Sequence, residues 1–110
     1  MNNEIIIYCT FPDEESLKKI TGLLLEKHLI ACINYWKMKS SYWWKDRIEE
    51  SDEITAVMKS VESNFNEIEK LFRKEHPYEV PALVYFRIDG GSASFLDWIN
   101  MESSATQIPE

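Results

Sequence analysis

Residues 30–48 read IACINYWKMKSSYWWKDRI. Up to Lys39 the pattern has a period of two. Ile30, Cys32, Asn34, Trp36 and Met38 share one face, and Ala31, Ile33, Tyr35, Lys37 and Lys39 share the other, the alternation of an extended strand. Ser40 and Ser41 interrupt the run, and alternation resumes from Tyr42 to Ile48. Two strands joined by a short polar pair predict a hairpin that turns at the serines. Tyr35, Trp36, Tyr42, Trp43 and Trp44 crowd both faces of this arm.

The segments on either side supply a fold for the arm to project from. EIIIYCTF (4–11) is a short isoleucine-rich run that suits a strand buried on both faces. Pro12, Asp13, Glu14 and Glu15 precede Leu17, Ile20, Leu23, Leu24 and His28 at helical spacing, with the acids at the positive end of the helix dipole. After the acidic EESDE (49–53), ITAVMK (54–59) reads as a further strand. Val61, Phe65, Ile68, Leu71 and Phe72 then return to helical spacing, which His76-Pro77 ends because the residue before proline is pushed out of the α region. Val80 to Ile88 alternates again, Gly90-Gly91 breaks the run, and SASFLDWI (92–99) predicts a short last helix. The order is an α+β, ferredoxin-like β-α-β-β-α-β sandwich with an extended hairpin and a short C-terminal helix. One domain is expected across 1–110, with an ordered core over about 4–101 and a partly mobile tail at 102–110. Helices on one sheet face would leave the other open.

Composition narrows the function classes. Nineteen acidic against 12 basic residues give a net charge of −7, a poor match for a phosphate backbone, so no nucleic-acid partner is expected. No stretch approaches the roughly 20 apolar residues of a membrane helix, and no secretory pattern opens the chain; a soluble, cytoplasmic protein without a membrane partner is expected. Cys9 and Cys32 lie in strand-like runs with no CxxC spacing, which favours reduced thiols. Three glycines form no phosphate loop, there is no GxSxG, and the only histidines, His28 and His76, form no HExxH pair. Neither an enzyme nor an organic cofactor is expected.

Three explanations of the aromatic arm stand side by side. Tyr and Trp favour protein interfaces, so the arm pairs with another copy of the chain. Alternatively it folds back and completes the chain's own core. The third is a stacking platform for single-stranded nucleic acid beside Lys37, Lys39, Lys45 and Arg47, against which the acidic EESDE run counts.

Six stretches, in order, resemble the CutA family of divalent-cation tolerance proteins from Ile5 to about Ile99. They are Thr10, Pro12 and Asp13; LLLEKHLIACIN at 23–34; Ser40, Tyr42 and Trp44; Glu53; Lys59; and HPYEVP at 76–81. The resemblance implies a non-enzymatic homotrimer, PII-like in architecture, whose hairpin strands pair between subunits, with Tyr42, Trp43 and Trp44 packed at the interface. It also implies tolerance of divalent metals such as copper. Cys32 thiolate and His76 imidazole are the soft-metal ligands that this suggests. The opposing explanation makes Cys32 a small buried hydrophobe and His76 a helix terminus. A cleft between subunits carrying Trp44, Glu53, Lys59, His76 and Tyr78 would suit a small anionic or zwitterionic ligand. Equally, Lys59 and Glu53 form an ion pair that sets subunit register. A PII-like signalling or scaffold trimer that binds a small ligand or partner protein, with no physiological metal, is the alternative function. The chain departs from the family pattern at Asp46, where glycine is usual, at Ala82, where a carboxylate is common, and at Ser60, whose hydroxyl is still able to cap the next helix.

Overall fold

The computed structural model describes residues 3–104. Strand β1 (Glu4–Phe11) leads to helix α1 (Glu14–Glu26), then to strands β2 (Cys32–Trp44) and β3 (Arg47–Val61). A single 3-10 turn (Glu62–Asn64) enters α2 (Phe65–Glu75), followed by β4 (Leu83–Arg87) and α3 (Ala93–Glu102). The four strands form one sheet in the order β2-β3-β1-β4, every neighbouring pair antiparallel. This is the ferredoxin-like arrangement expected, with α3 added.

α1 begins where the sequence places it. Asp13 is the N-cap and its carboxylate accepts from the Ser16 N–H at 2.8 Å, while Glu14 and Glu15 occupy the first turn. The helix stops before His28, which takes a left-handed φ of 55°. The Leu29 N–H reaches the Leu24 carbonyl and the His28 N–H the Leu25 carbonyl, a Schellman ending built without glycine.

The core lies between α1, α2 and one sheet face. Ile5, Ile7, Cys9 and Phe11 of β1 and Ile54, Ala56 and Met58 of β3 are buried there with Leu17, Ile20, Leu24, Ile68 and Phe72 from the helices. The opposite face has no such cover in one chain. Ile6 and Tyr8 are only half-buried, so β1 is not enclosed on both faces as its isoleucine run suggests. α3 meets the Glu4–Val61 end of the sheet. There Asn100 Nδ2 donates to the Glu4 carboxylate and Asn64 Nδ2 to the Ser103 carbonyl at 2.7 Å. The His28 ring bonds the Glu102 carbonyl at 3.0 Å. Packed chain therefore continues past the expected boundary at 101; residues 105–110 of the expected tail lie outside the described residues.

The arm differs from expectation at its turn. Ser40 and Ser41 are mid-strand, paired with Ser51 and Glu50, and the ladder runs unbroken from Cys32↔Lys59 to Trp44↔Arg47. The chain reverses at Lys45-Asp46, with φ of 50° and 65°, positive at both central residues as in a type I′ turn. EESDE and ITAVMK accordingly form one continuous strand, β3. Two small polar residues resemble a turn in sequence, but a cross-strand ladder accommodates serine readily. β4 also begins later than the alternation suggests, at Leu83, beyond Pro81, which has no N–H to contribute to a ladder. Ser60 caps no helix: its hydroxyl donates to the Leu29 carbonyl at 2.5 Å.

Candidate functional site

Register decides what meets on the open face. Directly paired residues share a face, so Met38, Ser40, Tyr42 and Trp44 of β2 stand beside Glu53 and Thr55 of β3 and Tyr8 and Thr10 of β1. The segment after α2 crosses the end of this surface and walls it with Pro77, Tyr78, Val80 and Ala82. The result is a cavity of about 890 Å³.

Glu53 lies in the floor of this cavity and is only 8% exposed. The Tyr78 hydroxyl donates to its Oε2 at 2.7 Å. Burial of the phenol, and secondarily the Glu53 carboxylate that it bonds, push the Tyr78 pKa well above the ordinary tyrosine value. Nearby, the Tyr42 hydroxyl lies 3.3 Å from Ser51 Oγ. No ion pair among the described residues involves Glu53.

His76 sits behind this wall and not in it. Its ring stacks at 5.0 Å on Phe11 and 5.5 Å on Phe72, and meets Tyr78 at 5.1 Å. Nε2 bonds the Thr10 carbonyl at 2.8 Å and Nδ1 accepts the Tyr78 N–H at 3.1 Å, which assigns the proton to Nε2. Burial lowers its pKa, opposed by the Thr10 carbonyl and the Glu53 charge. Both nitrogens are engaged in holding the 76–78 turn against β1, so the ring presents no free lone pair to a metal.

Cys32 begins β2 opposite Lys59, four ladder positions from the Thr55↔Trp36 row, whose other neighbour is Thr10. Four residues of strand span roughly 13 Å, so one chain does not bring Cys32 to His76. Cys32 is half-buried, whereas Cys9 is fully buried and its thiol is pushed up to about 12. No group of three or more His, Cys, Asp or Glu among the described residues could hold a metal. Lys59 shares the open face with Glu53 but lies six residues along β3, roughly 20 Å away, and donates instead to the Asn34 side chain. Lys59 and Glu53 therefore make no contact within one chain; of the expected cleft residues, Tyr78 bonds Glu53 and Trp44 lines the same cavity, without Lys59 or His76.

The arm does not fold back into its own core: Trp43 is 72% exposed, on the other face from Tyr42 and Trp44, with Ile48 as its cross-strand neighbour. Tyr8 and Met38 also line the cavity, and nothing in the sequence marks either as a cleft residue. Alternation along β1 places Tyr8 outward, but only strand order puts it beside the arm.

A family model described as "CutA1 divalent ion tolerance protein" matches residues 5–102. The divalent-cation tolerance protein CutA of Pyrococcus horikoshii is 38% identical over 99 residues, covering 90% of this chain and 97% of that protein. Its namesake from Thermotoga maritima is 39% identical over 95 residues, covering 86% and 94%. Among solved structures, the protein described as the periplasmic divalent cation tolerance protein CutA of Archaeoglobus fulgidus superposes with a TM-score of 0.88 at 34% identity, over 92% of this chain and 99% of that one.

Proposed function

We propose, from the premise that this chain belongs to the CutA1 divalent ion tolerance family, that it is a non-catalytic, homotrimeric divalent-cation tolerance protein. It would handle copper or another divalent ion at sites that only the assembly completes. The observation that supports assembly is the uncovered sheet face. Trp36, Val84 and Phe86 are 51, 50 and 62% exposed on the same face as Ile6 and Tyr8. Apolar surface of this kind, continued by the Tyr42 and Trp44 side of the arm, favours burial against a second copy.

Among the described residues one chain's donors make no metal site, so the metal part of the proposal rests on Cys32, the more accessible thiol, repeated by symmetry. His76 would join it only by releasing Thr10. Two unpaired thiols support a reducing compartment, and we place the protein in the cytoplasm, although the Archaeoglobus relative is described as periplasmic. Calorimetric titration with copper(I), copper(II) and zinc, with light scattering on the same sample, tests both parts. The proposal expects a trimer that binds a stoichiometric ion, with Cys32→Ser weakening it. A trimer indifferent to all three ions refutes the metal part, and a monodisperse monomer refutes the assembly.

A second possibility is favoured by the Glu53 cavity: a PII-like signalling or scaffold trimer that binds a small ligand and has no physiological metal. Indifference to metals together with retained ligand binding would select it.

A further inference from the structure

The side of the arm that faces away from the cavity also lacks cover. Seven ladder rows, from Met38↔Glu53 to Trp44↔Arg47, lie beyond Phe11↔Ile54, the last row that β1 shares with β3. They carry a two-stranded ribbon roughly 23 Å past the rest of the sheet, and such a ribbon is only marginally stable alone in water. Trp43 and Ile48 are cross-strand neighbours near its end, 72 and 65% exposed. They belong to the side of the sheet on which Ile54, Ala56 and Met58 are buried under the helices, not to the open face. Lys45 and Arg47 adjoin them at the turn, both exposed and in no ion pair among the described residues.

A second apolar face lies at the other end of the molecule. α3 is held at the Glu4–Val61 end of the sheet with Ile99 fully buried, which leaves Phe95, Trp98 and Met101, three residues apart, 44, 36 and 55% exposed. The Phe95 and Trp98 rings stack with centroids 5.8 Å apart. From Ile88 to Ser104 the chain carries Asp89, Asp97 and Glu102 and no lysine or arginine. An aromatic stripe in acidic surroundings complements an aromatic pair beside basic ones. The 15 residues of β3 separate the two within one chain, so neither covers the other there. We infer that Trp43 and Ile48 of one copy dock on the Phe95, Trp98 and Met101 face of α3 in a second copy. Lys45 and Arg47 then approach the acidic side chains of that helix. Two unlike patches make a head-to-tail contact: every copy gives an arm and receives one, and all patches are used only when the ring closes. The inference rests on the homotrimer proposed above and deepens it by assigning the seat of the arm, which takes residues from two copies.

Subunit exchange between isotope-labelled and unlabelled full-length protein, followed by native mass spectrometry, reads this contact. Trp43→Glu and Met101→Glu, at side chains that one chain leaves largely exposed, should each speed exchange at least tenfold or abolish the trimer, with circular dichroism unchanged. The doubly substituted chain should exchange no faster than the quicker single variant, because each change opens the same contact. A second pair of variants serves if either of these does not fold. Arg47→Glu should speed exchange severalfold, and adding Asp97→Lys should slow it again, since both side chains are exposed and their charges are exchanged. Exchange at the parental rate in either Trp43→Glu or Met101→Glu, additive effects in the double variant, or no recovery on adding Asp97→Lys would each overturn the inference and leave the trimer standing. A parent protein that is monomeric by light scattering overturns the trimer, and this inference with it.

Discussion

Replacing Asp46 by glycine should stabilise the protein. Lys45 and Asp46 both have positive φ, a region that costs an ordinary L-residue roughly 1–2 kcal/mol and an aspartate less, because its short polar side chain finds local hydrogen bonds. Glycine removes that strain but loses more backbone entropy on folding, an offset of roughly 0.5–1 kcal/mol. The balance favours Asp46→Gly by about 0.5 kcal/mol, and Lys45→Asn with Asp46→Gly, the preferred pair for this turn, by about 1 kcal/mol. With an unfolding entropy of about 2.1 cal/mol/K per residue, 0.5 kcal/mol corresponds to a Tm rise of roughly 2 °C for a chain of this length. Ser41→Gly is the matching control. It lies within the β2 ladder opposite Glu50 and should destabilise by about 0.5–1 kcal/mol. Urea unfolding at fixed protein concentration reads all three variants against the parent, since any self-association makes stability concentration-dependent. A stabilised Ser41→Gly together with a destabilised Asp46→Gly would refute the placement of the turn.

His76 should make stability depend on pH. Burial holds its folded pKa below the ordinary 6.5, so the unfolded chain takes up the proton first as pH falls. The contribution is therefore complete above pH 6.5 and lost as pH drops below it toward the folded value. Urea midpoints at pH 7.5 and 5.5 should fall further for the parent than for His76→Gln; equal losses would remove His76 from the account. The two thiols should also separate chemically. Cys9, fully buried with its pKa pushed up to about 12, should react with Ellman's reagent only on unfolding, while Cys32 reacts in the native protein. Fast modification of Cys9 in the native state would contradict the packing between β1 and the helices.

Much of the architecture was legible because periodicity is a local property. The isoleucine run of β1, the Asp13 cap, the three- and four-residue spacing of α1 and α2, and the break at His76-Pro77 each reflect forces acting within a few residues. The six ordered stretches of family resemblance were equally readable in one dimension, and they identified Trp44, Glu53 and Tyr78 as site candidates. Geometry between distant segments was not. Ser40-Ser41 and Lys45-Asp46 are both plausible turns by composition, and the ladder that pairs Ser40 with Ser51 chooses between them. Lys59 and Glu53 share a strand face by alternation, but an extended chain separates residues six apart by roughly 20 Å, so the two do not pair within one chain. Tyr78 reaches Glu53 across 25 residues of sequence, and His76 reaches Thr10 across 66, only because α2 returns its C-terminal end to the sheet. The sequence by itself determined the elements, their order and the family. Tertiary structure alone decided that Glu53 is buried and bonded by Tyr78, because the return of the chain after α2 brings residues 76–82 against the open face of the sheet.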